Sequence, residues 1–231
     1  AEQLHARRLK KPPALIYRTL GYLWRLLYFK KLGVQVEITN DPRACKGLYI
    51  VVSNHASRLD YIYTGAVLLP DTLSFVAGYN EFFRSHLALI FRLLQVIPKK
   101  NFTPDIYTIK EIARILRAGG RVMLFPEGMS SIGGGNQPCA IGSGKLLKHF
   151  GVPVYFSKIS GGYLTSTKYC LDERPGKVSV VIDRLFSPEQ LKQMSAEEIQ
   201  LALDVAIQND DYEWNRNAKI AYDGKGRIAH Q

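Results

Sequence analysis

Short β-branched runs alternate with helix-forming stretches along almost the whole chain, and this limits the available folds more than any other feature. The runs VQVEI (34–38), LYIVV (48–52), LSFVA (73–77), LQVIP (94–98), RVMLF (121–125), VPVYFSK (152–158) and KVSVVIDRLF (177–186) are predicted strands. Between them the spacing predicts helices over 59–69, 80–92, 104–118, 141–150 and 195–208. The last opens on a capping box, Ser195 with Glu198, and puts Ile199, Ala202, Leu203, Ala206 and Ile207 on one face. Strands separated by helices predict an α/β fold: a single domain whose mixed, largely parallel β-sheet is flanked by helices. A chain of 231 residues, 46% of them hydrophobic, has the material for one such core.

An N-terminal amphipathic helix precedes this unit. PALIYRTLGYLWRLLYFKKLG (13–33) follows a proline pair and stops at Gly33. Its interior is nearly all apolar, yet Lys11, Arg18 and Arg25 recur every seven residues along one narrow stripe, and Tyr17, Tyr22, Trp24, Tyr28 and Phe29 supply aromatic rings. Such a helix either lies in a membrane surface with its basic side at the headgroups or covers a core. Residues 1–31 hold eight Lys or Arg against one acidic residue, which favours lipid. The expected division is 1–33 as a basic membrane-docking helix, 34–209 as the α/β domain and 210–231 as a polar C-terminal tail.

The formal net charge is +11, and the excess lies in the front and middle of the chain: residues 43–158 carry 14 basic and 6 acidic side chains, residues 159–231 carry 9 and 11. Such a field attracts phosphate. Nucleic acid is not the expected partner, because the aromatics gather in an apolar helix instead of interleaving with Lys and Arg on a polar face. An anionic lipid surface fits better. Three widely spaced cysteines, Cys45, Cys139 and Cys170, form no C-x-x-C pair, so a zinc site or disulfide framework is not expected and a reducing compartment is. No apolar window has the length of a spanning helix, and no signal-peptide order is visible at the N-terminus.

Two segments pass from an apolar strand straight into a polar motif: LYIVVS into NHASRLD (54–60) and RVMLF into PEGMSS (126–131). In open α/β sheets ligands bind beyond the carboxyl ends of the strands, so parallel strands would bring His55 and Glu127 to one edge. Five steps along a regular helix separate two side chains by about 140°. His55 and Asp60 therefore meet only if His55 ends the strand, a turn follows, and Asp60 falls in the first helical turn. A carboxylate on one imidazole nitrogen fixes the tautomer and leaves the other nitrogen as a general base. By itself H-x-x-x-x-D is a weak pattern, and Ser53 or Ser57 remains open as a protein nucleophile. In the second motif Pro126 ends the strand, Glu127 projects a carboxylate, Gly128 allows close backbone approach, and Ser130 and Ser131 add hydroxyls. IGSGK (141–145) is not a phosphate loop: Cys139 stands where the first glycine is needed and Leu146 where Ser or Thr is.

NHASRLD and FPEGMSS, in this order and about 70 residues apart on strand ends, resemble the glycerolipid acyltransferase family, whose best-known members are the 1-acylglycerol-3-phosphate O-acyltransferases. The family pattern is N-H-x-S-x-x-D, then F-P-E-G-T-R-S, then a V-P-V strand. Asn54, His55, Ser57 and Asp60 match the first, Phe125, Pro126, Glu127, Gly128 and Ser131 the second, and Val152, Pro153 and Val154 the third. GGYLTS and FSPE further on also look like bacterial members.

The resemblance implies that His55, oriented by Asp60, deprotonates the free hydroxyl of a lysophospholipid, which attacks the thioester of acyl-CoA or acyl carrier protein. No metal and no cofactor beyond that co-substrate are implied. Glu127, Gly128 and Ser131 would bind the acceptor, Arg58 would meet phosphate or an oxyanion, and Lys99 and Lys100 would stand at the family's basic acceptor site. Such an enzyme would work at the cytoplasmic face of the cell membrane, peripheral or monotopic, on anionic lipid. The family's Thr and Arg are Met129 and Ser130 here, so a phosphate-contacting arginine is absent. The same dyad with water as acceptor would make a thioester hydrolase, and charge alone would suit a non-enzymatic lipid binder.

Overall fold

The computed structural model describes residues 8–45, 47–84, 88–100, 105–135, 137–166 and 176–209. Helix α1 (Ala14–Tyr28) leads into β1 (Gln35–Ile38) and β2 (Tyr49–Ser53). Then come α2 (Asp60–Val67), β3 (Leu73–Gly78), α3 (Glu81–Arg84), α4 (Ala88–Leu93), β4 (Ile97–Lys99), α5 (Ile106–Arg117) and β5 (Arg121–Leu124). The chain continues through α6 (Ser143–Phe150), β6 (Val154–Ser160), α7 (Gly162–Ser166), β7 (Ser179–Phe186), α8 (Pro188–Gln193) and α9 (Ala196–Ala206).

The seven strands form one sheet in the order β1-β7-β6-β2-β5-β3-β4. All pairs are parallel except β6 with β7, so the sheet is mixed and largely parallel as expected. Every residue of β2 is buried, because helices cover both faces of the sheet at its centre. The two-residue period sorts its side chains: Tyr49 and Val51 join Tyr63 and Val67 of α2 and Tyr17 of α1 in one cluster, while Ile50 and Val52 join Ile112, Leu147, Ile199 and Leu203 in another. The helix after β2 thus packs on one face and the helix after β5 on the other. The two chain paths diverge at the carboxyl ends of adjacent strands, the edge where open α/β sheets bind ligands.

Helix α1 is anchored to this body along one side. Tyr17 is buried and stacks on Phe75, and Trp24 meets Tyr63 edge-on. Two of its stripe cations bond back to the protein, Lys11 Nζ to Ala118 O and Arg18 Nε to Pro70 O. The opposite side carries exposed leucines, Leu15 at 80% and Leu26 at 77% among them.

The expected elements are present with shifted ends. LQVIP forms a strand only from Ile97, because Val96 N–H still bonds to Phe91 O and Gln95 adopts a φ of 55° to close α4. The predicted helix over 80–92 comprises α3 and α4, with 85–87 outside the described residues. The predicted tail at 210–231, residues 1–7 and Cys170 also lie outside them. The short helices α7 and α8 were not predicted; α8 is held by a capping box of Ser187 and Gln190, with Pro188 at its first position.

Helix α9 seats on α6 through Gly144, whose amide donates to Gln200 Oε1 at 2.9 Å. A Cβ there would lie 2.2 Å from Ala196 O. Gly144→Ala is expected to destabilise the fold by about 1–3 kcal/mol, read from the urea midpoint.

Candidate active site

Each polar motif ends its strand by a different device. Asn54 carries the β2–β6 ladder one step beyond the paired residues Ser53 and Ser157 with its side chain: Nδ2 donates to Ile159 O at 2.7 Å and Oδ1 accepts from Ile159 N at 2.8 Å. The amide side chain stands in for a peptide unit, which frees the backbone to turn at His55. β5 stops because Pro126 has no N–H to give. Phe125 O accepts from Gly128 N at 3.0 Å, closing a turn with Pro126 at its second position and Gly128, at a φ of 78°, at its fourth. That turn aims Glu127 across to β2.

β2 and β5 are hydrogen-bonded neighbours, with Val52 opposite Leu124, so the two motifs meet at the shared carboxyl edge. Glu127 Oε1 accepts from His55 N at 2.7 Å and Oε2 from Gln137 N at 2.9 Å. His55 O accepts from Ser131 N at 2.7 Å. Both backbone polar groups of His55 are thereby held by the second motif. Burial pushes the Glu127 carboxyl upward, and the Gln137 and His55 amides act against that shift by favouring the ionised form.

The imidazole is fixed from three sides. Nδ1 lies 2.9 Å from Asp60 Oδ2, the ring stacks on Phe125 at 4.2 Å, and Nε2 lies 2.7 Å from Ser130 Oγ. Asp60 opens α2, as the turn requires, and is fully buried. Its Oδ2 also accepts from Ala56 N and Ser57 N, both at 2.8 Å. A carboxylate that already accepts backbone amides accepts from Nδ1–H as well, which leaves the lone pair on Nε2, facing Ser130 Oγ.

The turn itself is braced by α7. Ser57 Oγ donates to Ser166 O at 2.9 Å and accepts from Leu59 N at 3.1 Å, while Arg58 N donates to the same Ser166 carbonyl at 3.1 Å. Gly162 lets α7 come this close: a Cβ there would stand 3.1 Å from Ser57 Cβ and 3.3 Å from Asp60 Oδ1. The GGYLTS segment therefore supports the dyad, a role that no spacing in the sequence displays. Ser53, once open as a nucleophile, is buried and donates to Asn54 O.

The remaining expected residues share the same edge of the sheet. Arg58 lies in the turn, partly exposed, and Gly128 is exposed at the tip of its own. Ser131 Oγ donates to Gly135 O at 2.6 Å. Lys99 ends β4 and Lys100 follows, its amide on Asp105 Oδ2. β4 is parallel to β3 and stands three strands from β2, about 14 Å along the sheet. Ser130, which the sequence shows only as a hydroxyl in place of the expected arginine, is the residue on His55 Nε2.

The α/β sheet thus carries a part-buried His55, a buried Asp60 and a facing P-E-G turn together at its carboxyl edge. Residues 34–157 match the Acyltransferase family, and the chain belongs to it. It is 25% identical over 201 residues to a probable 1-acyl-sn-glycerol-3-phosphate acyltransferase of Mycoplasma pneumoniae, covering 81% of this chain and 75% of that protein. Its fold is similar to the crystal structure of the 1-acyl-sn-glycerophosphate (LPA) acyltransferase PlsC from Thermotoga maritima, with a TM-score of 0.67, 21% identity, and 91% of this chain and 81% of that one covered. The chain is thus an acyltransferase distantly related to the PlsC enzymes.

Glu127→Ala is expected to strand the His55 and Gln137 amides and destabilise the fold by about 2–4 kcal/mol, measured by urea unfolding.

Proposed function

We propose that the protein transfers a fatty acyl group from an acyl thioester, acyl-CoA or acyl carrier protein, to the free hydroxyl of a lysophosphatidate-like lysophospholipid, as a step of phospholipid biosynthesis. The observation that carries this is the imidazole of His55, gripped at Nδ1 by Asp60 with Nε2 turned to a hydroxyl at 2.7 Å. His55 acts as general base: it takes the proton of the acceptor hydroxyl as that oxygen attacks the acyl carbonyl, and returns it to the departing group. Asp60 holds the tautomer and balances the imidazolium charge. The acceptor phosphate meets Arg58 beside the dyad, with Lys99 and Lys100 further along the edge, while the exposed Gly128 amide and Ser131 border its path. Glu127 serves chiefly by holding His55 and Gln137 in place.

The acceptor is a membrane lipid, and α1 fits such a surface. Its outward side presents Leu15, Leu23, Leu26 and Leu27, an apolar strip on a chain whose N-terminal part is strongly basic. Among the described residues no helix is long and apolar enough to cross a membrane. On this reading the leucine strip docks the protein on anionic lipid at the cytoplasmic face, where thioester donors are made.

His55→Ala is expected to lower transfer from palmitoyl-CoA to lysophosphatidate by about 10²–10⁴-fold with the unfolding midpoint preserved, and Asp60→Asn by a similar factor. Wild-type transfer in His55→Ala would refute the assignment. Changing Leu15, Leu23, Leu26 and Leu27 to serine is expected to reduce sedimentation with phosphatidylglycerol vesicles by at least about tenfold, at unchanged thermal stability.

A further inference from the structure

Helices α3 and α4 lie between β3 and β4 in the chain, and each leaves one side in the open. Phe82 of α3 and Phe91 of α4 meet edge-on at 5.6 Å and are buried in the cluster that holds Tyr17 of α1. Their neighbours turn the other way: Phe83 is 57% exposed, Leu89 68% and Leu93 45%. Leu89 and Leu93 stand one turn apart on α4 and form one outward stripe. Three large apolar side chains left in water on two short helices mark a contact surface.

Aromatic rings place this surface relative to α1. Tyr17 of α1 stacks on Phe75, Phe75 meets Tyr61 of α2 edge-on, and Tyr61 meets Phe91 of α4 in the same way, at centroid distances of 6.0, 5.6 and 6.2 Å. Helices α1 and α4 thus pack on one face of the sheet and turn their exposed leucines away from it. Helix α2 lies between them, with Tyr63 on Trp24 of α1 and Tyr61 on Phe91 of α4. Asp60 opens α2, so the dyad stands at the head of the helix that both apolar surfaces flank.

Charge selects the occupant. Residues 82–104 hold four Lys or Arg and no Asp or Glu, the same bias as residues 1–31, and Arg92 is exposed next to Leu93. An apolar stripe bordered by cations fits anionic headgroups over acyl chains. A second copy of the chain would instead bring like charges together across a two-fold axis.

We propose, building on the lipid docking and acyl transfer read above, that α3 and α4 form a second lipid-inserting element. Phe83, Leu89 and Leu93 enter the acyl-chain region of an anionic bilayer, Arg92 stays at the headgroups, and with α1 they set the protein on two supports that straddle α2. A single amphipathic helix lets a bound protein rock about the helix axis. The second contact removes that freedom and holds the head of α2 at a fixed height over the lipid that supplies the acceptor.

The test uses the full chain and vesicles of phosphatidylglycerol or phosphatidylcholine. In Leu89→Trp, the emission left after subtracting the wild-type spectrum is expected to shift to the blue on phosphatidylglycerol, little on phosphatidylcholine, and to be quenched by lipid brominated in its chains. Unshifted, unquenched emission from vesicle-bound protein would overturn the proposal. Changing Phe83, Leu89 and Leu93 to serine is expected to cut sedimentation with phosphatidylglycerol vesicles by at least about tenfold, and transfer to vesicle-embedded lysophosphatidate with it, while transfer to a short-chain lysophosphatidate dissolved as monomer keeps the wild-type rate. Undiminished sedimentation and vesicle transfer in that variant would refute the second support. Should the triple variant lose its thermal transition, the tryptophan arm decides. A wild-type dimer that the serine changes dissolve, with vesicle binding untouched, would assign the surface to a second copy and overturn the lipid contact. Quenching of the added tryptophan in a protein that acylates no lysophospholipid would uphold the lipid contact and overturn the transfer function beneath it.

Discussion

The site depends on one buried carboxylate. Glu127 reaches from the end of β5 to the His55 amide at the end of β2, and Ser131 returns the contact to the His55 carbonyl. A histidine that has just left a strand has two backbone groups without ladder partners, and these would be costly to bury unpaired. The second motif supplies both partners, so the loop carrying Pro126 to Ser131 and the turn carrying His55 to Asp60 are set relative to each other. Removing the charge of Glu127 would loosen His55 without touching its ring.

The dyad shows the same economy. A single oxygen of Asp60 accepts from Nδ1 of His55 and from the Ala56 and Ser57 amides, so the bonds that shape the turn also orient the imidazole. Ser57 and Gly162 then seat α7 against it. Folding of this edge and orientation of the imidazole are one event, and the position of Nε2 follows from these backbone hydrogen bonds.

Much of this was legible in the chain. The β-branched runs gave all seven strands; the central strand β2, buried on both faces, must be continuously apolar, while the edge strand β1 shows itself by β-branched residues at alternate positions. The five-residue separation of His55 and Asp60 implied a turn between strand and helix, and the turn is there. Elements α7 and α8 were missed because five or six residues are too few to show a helical period. The β4 end was misplaced because a positive φ at Gln95 cannot be read from a glutamine. The role of Asn54 was also hidden: an asparagine after a strand ordinarily signals a turn, and only the β6 neighbour shows that its side chain extends the ladder.

By itself the sequence determined the fold class, the placing of the two motifs at strand ends and the turn that lets His55 meet Asp60, because these follow from hydrophobic period and from chemistry carried within a few residues. Only the tertiary structure decided that β2 and β5 are adjacent, that Glu127 grips the His55 backbone, and that Ser130 rather than Ser53 or Ser57 stands on Nε2. Those contacts join residues about 70 positions apart in the chain, where pairing is set by sheet order and not by spacing. The position that reads in the chain as a missing arginine is, in the folded protein, the hydroxyl on His55 Nε2.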